Sequence, residues 1–258
     1  DAPVDYSASR VLVPLSAGIN SAAVLCFLGE HHPEHLKPLE LHLYYAHLIE
    51  HSPDSLPFVE ALIKYAHSKF LNVRETITTA SVNEYVIQQK MIPHPTISPC
   101  SKDLKIVPMQ AYDAQHEIDV VLIGYVKHEF KRYKRAQKRA VKASRTKDAY
   151  PILSWTDEDC FDFVKQVIGW YPAIYDIRWT QADYLAGDCR KRDIGKRVFP
   201  HNNCLPCKNM TSRQLKTVGR HFPAYAYRAQ LTAVQIPGAY WGRDDVPEVF
   251  KCDACDRM

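Results

Sequence analysis

Residues 10–28 have the sequence RVLVPLSAGINSAAVLCFL, in which two apolar runs enclose a short turn of small residues. The first run, residues 11–15, consists mostly of β-favouring residues and predicts a buried parallel strand. The second run, residues 22–28, predicts a packed helix. The turn between them therefore lies at a helix N-terminus, where unpaired N–H groups and the helix dipole favour a bound anion.

This turn, residues 16–21, has the residue types that suit a phosphate. Gly18 lets the backbone approach a phosphate closely, and the hydroxyls of Ser16 and Ser21 add hydrogen-bond donors. On local sequence alone an alternative stays open, in which Asn20 or Ser21 is only the N-cap of the helix.

Size and composition are those of a soluble globular protein. The chain has 258 residues, 46% of them apolar and 24% charged. No apolar run approaches about 18 residues, so no membrane span is expected, and no basic-then-apolar signal segment begins the sequence. We expect a cytoplasmic protein, and the sequence leaves open whether it forms an oligomer.

Strand-like and helix-like segments alternate after the first turn. Strands are predicted at residues 39–48, 72–78, 119–124 and about 150–153, and helices at residues 58–70, 81–90, 102–115 and from Thr156 onward. This alternation predicts an α/β fold, a Rossmann-like parallel twisted sheet flanked by helices, with ligands at the carboxyl ends of its strands. We predict this domain over residues 1–169, followed by a small, cysteine-rich, mainly helical subdomain over residues 170–258.

Positive charge is concentrated in residues 127–147. This segment contains ten Lys or Arg residues and one acid, a net charge of +9, whereas the rest of the chain carries 23 basic and 28 acidic residues. Such a run is often only a solvated helix face. Here aromatic residues precede and interrupt it, and it follows a predicted strand end, which favours a phosphate-bearing partner such as a nucleic acid.

Four segments in order resemble the PP-loop superfamily of adenine nucleotide α-hydrolases, which includes N-type ATP pyrophosphatases and phosphoadenylyl-sulfate (PAPS) reductases. The S-x-G-x-x-S turn is similar to the family's S-G-G-x-D-S loop, with Ala17 and Asn20 in place of Gly and Asp. Residues 100–108 (CSKDLKIVP) resemble C-x-x-x-L-K-x-x-P. Residues 123–132 resemble G-x-R-x-x-E-S-x-x-R, and residues 151–156 (PILSWT) resemble P-L-x-x-W-T.

The resemblance implies a PP-loop fold that binds ATP or another adenylyl nucleotide. The residues it assigns to nucleotide binding are Ser16, Ala17, Gly18, Asn20, Ser21, Gly124, Lys127 and Glu129, and the catalytic residues are Cys100, Lys105 and Arg132. A Mg²⁺ ion beside the phosphates is compatible with this assignment, although Asn20 lacks the carboxylate of the family loop. The reductases' E-C-G-L-H segment, which carries their catalytic thiol, is not matched by residues 251–258.

Two C-x-x-C pairs predict a metal centre, namely Cys204 with Cys207 and Cys252 with Cys255. Four thiolates suit either a structural Zn²⁺ or a [4Fe–4S] cluster. Clusters recur in sulfur-transferring members of the superfamily, where a cysteine at the position of Cys100 can join a C-x-x-C pair. Cys189 is a further candidate ligand.

These observations favour an enzyme that uses an adenylyl nucleotide in sulfur-linked or pyrophosphate-releasing adenylation chemistry. One alternative is a protein that binds or modifies nucleic acid, by thiolation or phosphorothioation, through residues 127–147. The other is a nucleotide-binding module without catalytic activity, which the replacement of Asp by Asn20 would allow.

Overall fold

The computed structural model describes residues 5–92, 99–143, 147–207 and 209–236. The chain divides into two compact units that alternate along the sequence. Unit 1 comprises Asp1–His47, Asp54–Thr78 and Val107–Pro172, and unit 2 comprises Leu48–Pro53, Thr79–Ile106 and Ala173–Met258. The units are therefore discontinuous, whereas the division predicted near residue 169 assumed two consecutive domains.

Five strands form the sheet, which runs in the order β3-β2-β1-β4-β5. Their bounds are Arg10–Leu15 for β1, Glu40–Leu48 for β2, Val73–Ala80 for β3, Val120–Leu122 for β4 and Lys147–Ala149 for β5. The pairs β1–β2, β1–β4 and β4–β5 are parallel. The predicted α/β fold with a parallel sheet is thus confirmed.

Ten helices accompany the sheet in the described part of the chain. They are α1 Ile19–His31, α2 Ser55–Lys69, α3 Val82–Gln89, α4 Pro99–Ser101, α5 Val107–Gln115, α6 Phe130–Ala143, α7 Asp157–Ile168, α8 Gln181–Leu185, α9 Ser212–His221 and α10 Pro223–Val234. None of the helices in these ranges is long and apolar enough to cross a membrane.

The core of unit 1 forms around β1, the central strand. Val11, Leu12 and Val13 are fully buried, as expected for a strand covered on both faces. Helix α1 packs on α7 in this unit, and α7 begins with the predicted cap, since Thr156 and Asp159 form a reciprocal capping box. Local sequence signals therefore gave this part of the fold accurately.

Two predicted elements differ from the structure. Residues 150–153 form turns, and the fifth strand lies just before them, at Lys147–Ala149. The helix predicted over residues 102–115 is divided into a wider π-type turn, Lys102–Ile106, and α5. Pro108 explains the interruption, because its ring has no N–H to continue the hydrogen-bond ladder and crowds the preceding turn.

Unit 2 is mainly helical in its described residues. Helix α10 packs on α3 and α9, as expected for the mainly helical part predicted towards the end of the chain. One apolar cluster contains Leu48, Val82 and Ile236, with Cys100 and Cys204 packed at its border. This cluster supports one wall of the pocket described below.

Candidate functional site

Residues 16–21 form the turn between β1 and α1, here called the phosphate loop. After β1 the chain continues to β2 on one side and returns to β4 on the other. The carboxyl ends of β1 and β4 therefore mark the point where the strand order reverses. In open parallel sheets this crevice is where ligands bind.

Two serine hydroxyls hold the phosphate loop in shape. Ser21 Oγ accepts a hydrogen bond from Ser16 N–H (3.1 Å) and donates one to the Gly18 carbonyl (3.0 Å). Ser16 Oγ accepts from Gly18 N–H (3.2 Å) and lies 3.0 Å from Ser21 Oγ. The predicted hydroxyl donors are thus engaged within the loop, and the donors that a helix leaves unpaired are the N–H groups of its first turn.

The start of α1 is set by the backbone of the loop. Gly18 is the N-cap, in an extended conformation and without a side-chain cap, so neither Asn20 nor Ser21 serves as the cap. Ala17 is fully buried and has φ of 55°, in the left-handed region that glycine adopts most readily. This is the position at which the S-G-G-x-D-S pattern quoted above has a glycine.

Gly124 brings the end of β4 against the start of α1. A Cβ atom added at Gly124 would lie 2.7 Å from the carbonyl oxygen of Asn20 and 3.2 Å from Ser21 N. No side chain fits at this distance without a backbone shift. The Asn20 Oδ1 atom is buried and has no hydrogen-bond partner among the described residues, which leaves a polar atom available beside this crevice.

Arg132 lies on a scaffold of aromatic residues after β4. Its guanidinium forms an ion pair with Glu129 and stands over the ring of Tyr125, 5.1 Å from the centroid. Tyr125 in turn stacks on Tyr150. Glu129 is only 7% exposed, so it orients Arg132, and Lys127 is held nearby by a bond from its N–H to the Trp155 carbonyl (2.9 Å).

Helix α6 presents the basic segment to solvent. Its first nine residues carry five Lys or Arg side chains, all exposed, and no acid: Lys131, Arg132, Lys134, Arg135 and Lys138. Phe130 is 47% exposed, with the Lys134 ammonium 4.7 Å from its ring centroid. Cations interleaved with exposed aromatic rings are the pattern of a surface that binds phosphates and bases.

A second candidate site, here called the thiol pocket, lies within unit 2. Three cysteines, Cys100, Cys204 and Cys207, line this pocket together with Lys105, and Leu48 and Val82 supply apolar wall. The structure thus brings the predicted catalytic residues Cys100 and Lys105 to the predicted metal ligands Cys204 and Cys207. Arg132, the third predicted catalytic residue, belongs to unit 1.

Two residues that the sequence did not single out for a role build this pocket. His51 Nε2 lies 2.9 Å from Lys105 Nζ. Glu50 is buried and caps α3, because its carboxylate accepts from Val82 N–H (2.8 Å), Asn83 N–H (3.2 Å) and the Ser81 hydroxyl (2.6 Å). The Glu50 carbonyl also accepts from Leu205 N–H at 2.7 Å, which ties the C-x-x-C segment to the segment after β2.

Burial raises the pKa of the Cys204 thiol to about 12, and the positive charge of Lys105 opposes this shift. Among the described residues, no three His, Cys, Asp or Glu side chains are arranged to hold one metal ion. Cys252 and Cys255 lie outside the described residues. Cys189 is buried elsewhere in unit 2, with its sulfur 4.0 Å from the Thr180 carbonyl.

Comparison with known proteins gives a likeness in structure only. No family model matches the chain, and no curated protein matches it. Among solved structures the chain is similar to the U34-tRNA thiolase NcsA from Methanococcus maripaludis with its [4Fe–4S] cluster. The identity is 10%, the match covers 90% of this chain and 74% of that chain, and the TM-score is 0.46.

Proposed function

We propose that this protein is a PP-loop enzyme that binds ATP or a related adenylyl nucleotide at the phosphate loop and uses it in sulfur-linked chemistry. The observation that carries the proposal is the loop itself. Its hydroxyl network, its left-handed Ala17 and its contact with Gly124 fix a helix N-terminus at the carboxyl ends of the parallel strands β1 and β4.

The loop suits a reaction in which pyrophosphate leaves. An acceptor oxygen attacks the α-phosphorus of ATP, the bond from that phosphorus to the bridging oxygen breaks, and pyrophosphate carries away the electron pair. N–H groups of the first turn of α1, with Lys127 and Arg132, stabilise the negative charge that develops there. The adenylated acceptor is then open to a sulfur nucleophile, with AMP as the second leaving group.

The thiol pocket is the proposed place of the sulfur chemistry. Its donor set suits a [4Fe–4S] cluster, because three thiols line one pocket and a cluster takes thiolates that stand farther apart than the ligands of one ion. Cys100, Cys204 and Cys207 would hold it, and a bound cluster would supply iron for sulfur-transfer chemistry in this pocket. A Cys₄ zinc site would instead require Cys252 and Cys255.

Nucleotide binding tests the first part of the proposal. Isothermal titration with ATP should show binding to the wild-type protein and a loss of at least about tenfold in Ser21→Ala, which removes the centre of the hydroxyl network. Ser68→Ala is the matched control, since Ser68 is an exposed serine of α2 whose hydroxyl bonds the Tyr65 carbonyl. Failure of the wild-type protein to bind ATP or PAPS would overturn the proposal.

Iron analysis tests the second part. Protein purified without oxygen should contain iron and acid-labile sulfide, and both should fall sharply in Cys204→Ser and Cys207→Ser. Cys189→Ser is the control, because Cys189 lies away from the pocket-lining cysteines. Zinc in place of iron, retained in Cys100→Ser, would exclude the three-cysteine cluster.

Helix α6 favours a nucleic acid as the acceptor. Five exposed cations without an intervening acid match a phosphodiester backbone better than a small substrate. Binding to RNA or DNA should weaken as salt rises, and Lys131→Gln with Lys134→Gln should reduce the salt dependence of affinity. Binding that does not change with salt or with these substitutions would exclude this acceptor.

A further inference from the structure

We propose that unit 2 has its own nucleic-acid backbone-binding surface, formed by Arg178 and the turn of residues 190–197, here called the basic turn. This inference rests on the proposal above that the acceptor is a nucleic acid. It goes further, because it places a phosphate-binding surface in the unit that holds the thiol pocket and outside the basic segment of α6.

The basic turn concentrates positive charge in a short stretch. Residues 190–197 (RKRDIGKR) contain five Lys or Arg residues and one acid, a net charge of +4. Arg190, Lys191 and Arg192 are consecutive and exposed, and Arg178 is exposed as well. A dense set of exposed cations of this kind is the electrostatic footprint of a polyanion site.

Backbone hydrogen bonds fix these cations on one scaffold. Trp179 N–H donates to the Lys196 carbonyl (3.0 Å), and Gly195 N–H donates to the Trp179 carbonyl (2.8 Å). Asp193 N–H closes the turn by donating to the Arg190 carbonyl (2.8 Å), and Gly195 has φ of +80°, which a tight turn requires. The cations therefore lie on a turn whose backbone is fixed by hydrogen bonds.

Arg178 and Arg197 stand directly opposite each other in an antiparallel bridge. Side chains at such positions point to the same face, so the bridge places two arginines together. Two arginines on one face suit a phosphate, because arginine forks match phosphate oxygens in pairs.

Some cations of this region, including one of the basic turn, are paired with carboxylates. Lys196 pairs with Asp193, Lys216 with Asp188, and Arg220 with both Asp183 and Asp188. Arg178, Arg190, Lys191 and Arg192 form no ion pair with a carboxylate of the described ranges. The charges of these four side chains are therefore available to a partner.

The test measures binding of short single-stranded RNA and DNA to the full chain without ATP, between about 50 and 200 mM salt. The triple variant Arg190→Gln, Lys191→Gln and Arg192→Gln should bind at least about tenfold more weakly than wild type at the lower salt concentration. Its slope of log affinity against log salt should fall by about 2, because each lost phosphate contact on a single strand removes about 0.7. The RNA and DNA arms show which backbone is preferred.

The matched control removes the same charge elsewhere, in Lys64→Gln, Lys90→Gln and Lys165→Gln, three exposed lysines that form no ion pair with a described carboxylate. It should keep the wild-type affinity and slope, and far-UV circular dichroism confirms that each variant is folded. A basic-turn variant that behaves like this control would overturn the proposal, even if the α6 variant loses binding. Binding only to phosphatidylserine vesicles, and to neither nucleic acid, would overturn it too.

Discussion

The phosphate loop and the thiol pocket are built in opposite ways. The loop consists of six consecutive residues between one strand and one helix, and its hydrogen bonds close within it. The thiol pocket takes its lining from β2, from residues 82–105 and from residues 203–209, which lie far apart in the sequence. The comparison shows that a site made from one turn is set locally, whereas a site made from several segments depends on the packing of its whole unit.

The largest expected effect concerns the thiols of the two units. Cys26 and Cys160 in unit 1 are fully buried, and burial raises the pKa of each to about 12. At pH 8 they hold about 1000-fold less thiolate than an ordinary cysteine, whose pKa is about 8.5. Cys100 and Cys207 are partly exposed, so iodoacetamide in the presence of a chelator should label them long before Cys26 and Cys160, as peptide mass spectrometry would show.

The difference in labelling rate between these two groups of cysteines should narrow as the pH rises, because the buried thiols ionise only as the pH approaches 12. Equal labelling of these four cysteines at pH 8 in folded protein would contradict the contrast between the buried thiols of unit 1 and the partly exposed Cys100 and Cys207.

The next effect is on the phosphate loop and its contact with β4. Gly124→Ala places a methyl group against the Asn20 backbone and should cost about 3 kcal/mol of unfolding free energy. It should also abolish ATP binding, because the first turn of α1 must move. Gly29→Ala is the control, since its methyl would meet the Tyr65 side chain, which can rotate. Urea unfolding measures the loss of stability, and ATP titration measures the loss of affinity. Equal losses of stability in Gly124→Ala and Gly29→Ala would contradict the steric effect at Gly124.

A comparable change in the thiol pocket should act over a wider region. Glu50→Ala leaves the Val82 and Asn83 N–H groups without their acceptor and should cost about 2 kcal/mol. Loss of this cap should also loosen the segment after β2, whose Glu50 carbonyl accepts from Leu205 N–H of the C-x-x-C segment. Iron content should therefore fall with stability. Glu84→Ala, an exposed change on the same helix α3, should leave iron content unchanged. Loss of iron in Glu84→Ala but not in Glu50→Ala would contradict the role of Glu50 in the thiol pocket.

The smallest effect is expected at Ala17. A left-handed conformation costs a non-glycine residue about 1 to 2 kcal/mol. Glycine avoids this cost, but it raises the entropy of the unfolded state and removes a buried methyl group, which offsets part of the gain in stability. Ala17→Gly should therefore change stability by less than about 1 kcal/mol and keep ATP affinity, whereas Ala17→Val should destabilise clearly. Thermal unfolding compares the two, and tolerance of valine would show that the loop is not held left-handed.

The same difference between local and distributed structure explains what the sequence could predict. The first strand, its helix and the Thr156 cap were predicted because strand pattern, turn chemistry and capping are encoded within a few residues. Cys100, Cys204 and Cys207 were identified by spacing and resemblance, but their meeting in one pocket depends on packing. Glu50 and His51 were not assigned a role, because nothing in their neighbours indicates a helix cap or a lysine partner far along the chain.

Tyr150 and its neighbours illustrate an error of another kind. The apolar and aromatic residues of this segment resemble a strand, but the segment forms a turn. The Tyr150 ring packs on the rings of Tyr125 and Tyr133. The true edge strand, Lys147–Ala149, is short and partly polar, so its pattern carries little signal. Tertiary contacts decided the structure here, which is usual for edge strands.

The closed hydroxyl network of residues 16–21 has a consequence for recognition. A turn whose two serine hydroxyls are already bonded within it does not have to be ordered by its ligand, so little conformational entropy should be lost when a phosphate binds. The loop should then have the same conformation before and after binding, so that the enthalpy of binding comes from ligand contacts alone. Ser16 and Ser21 thus give this protein rigidity at its proposed phosphate site.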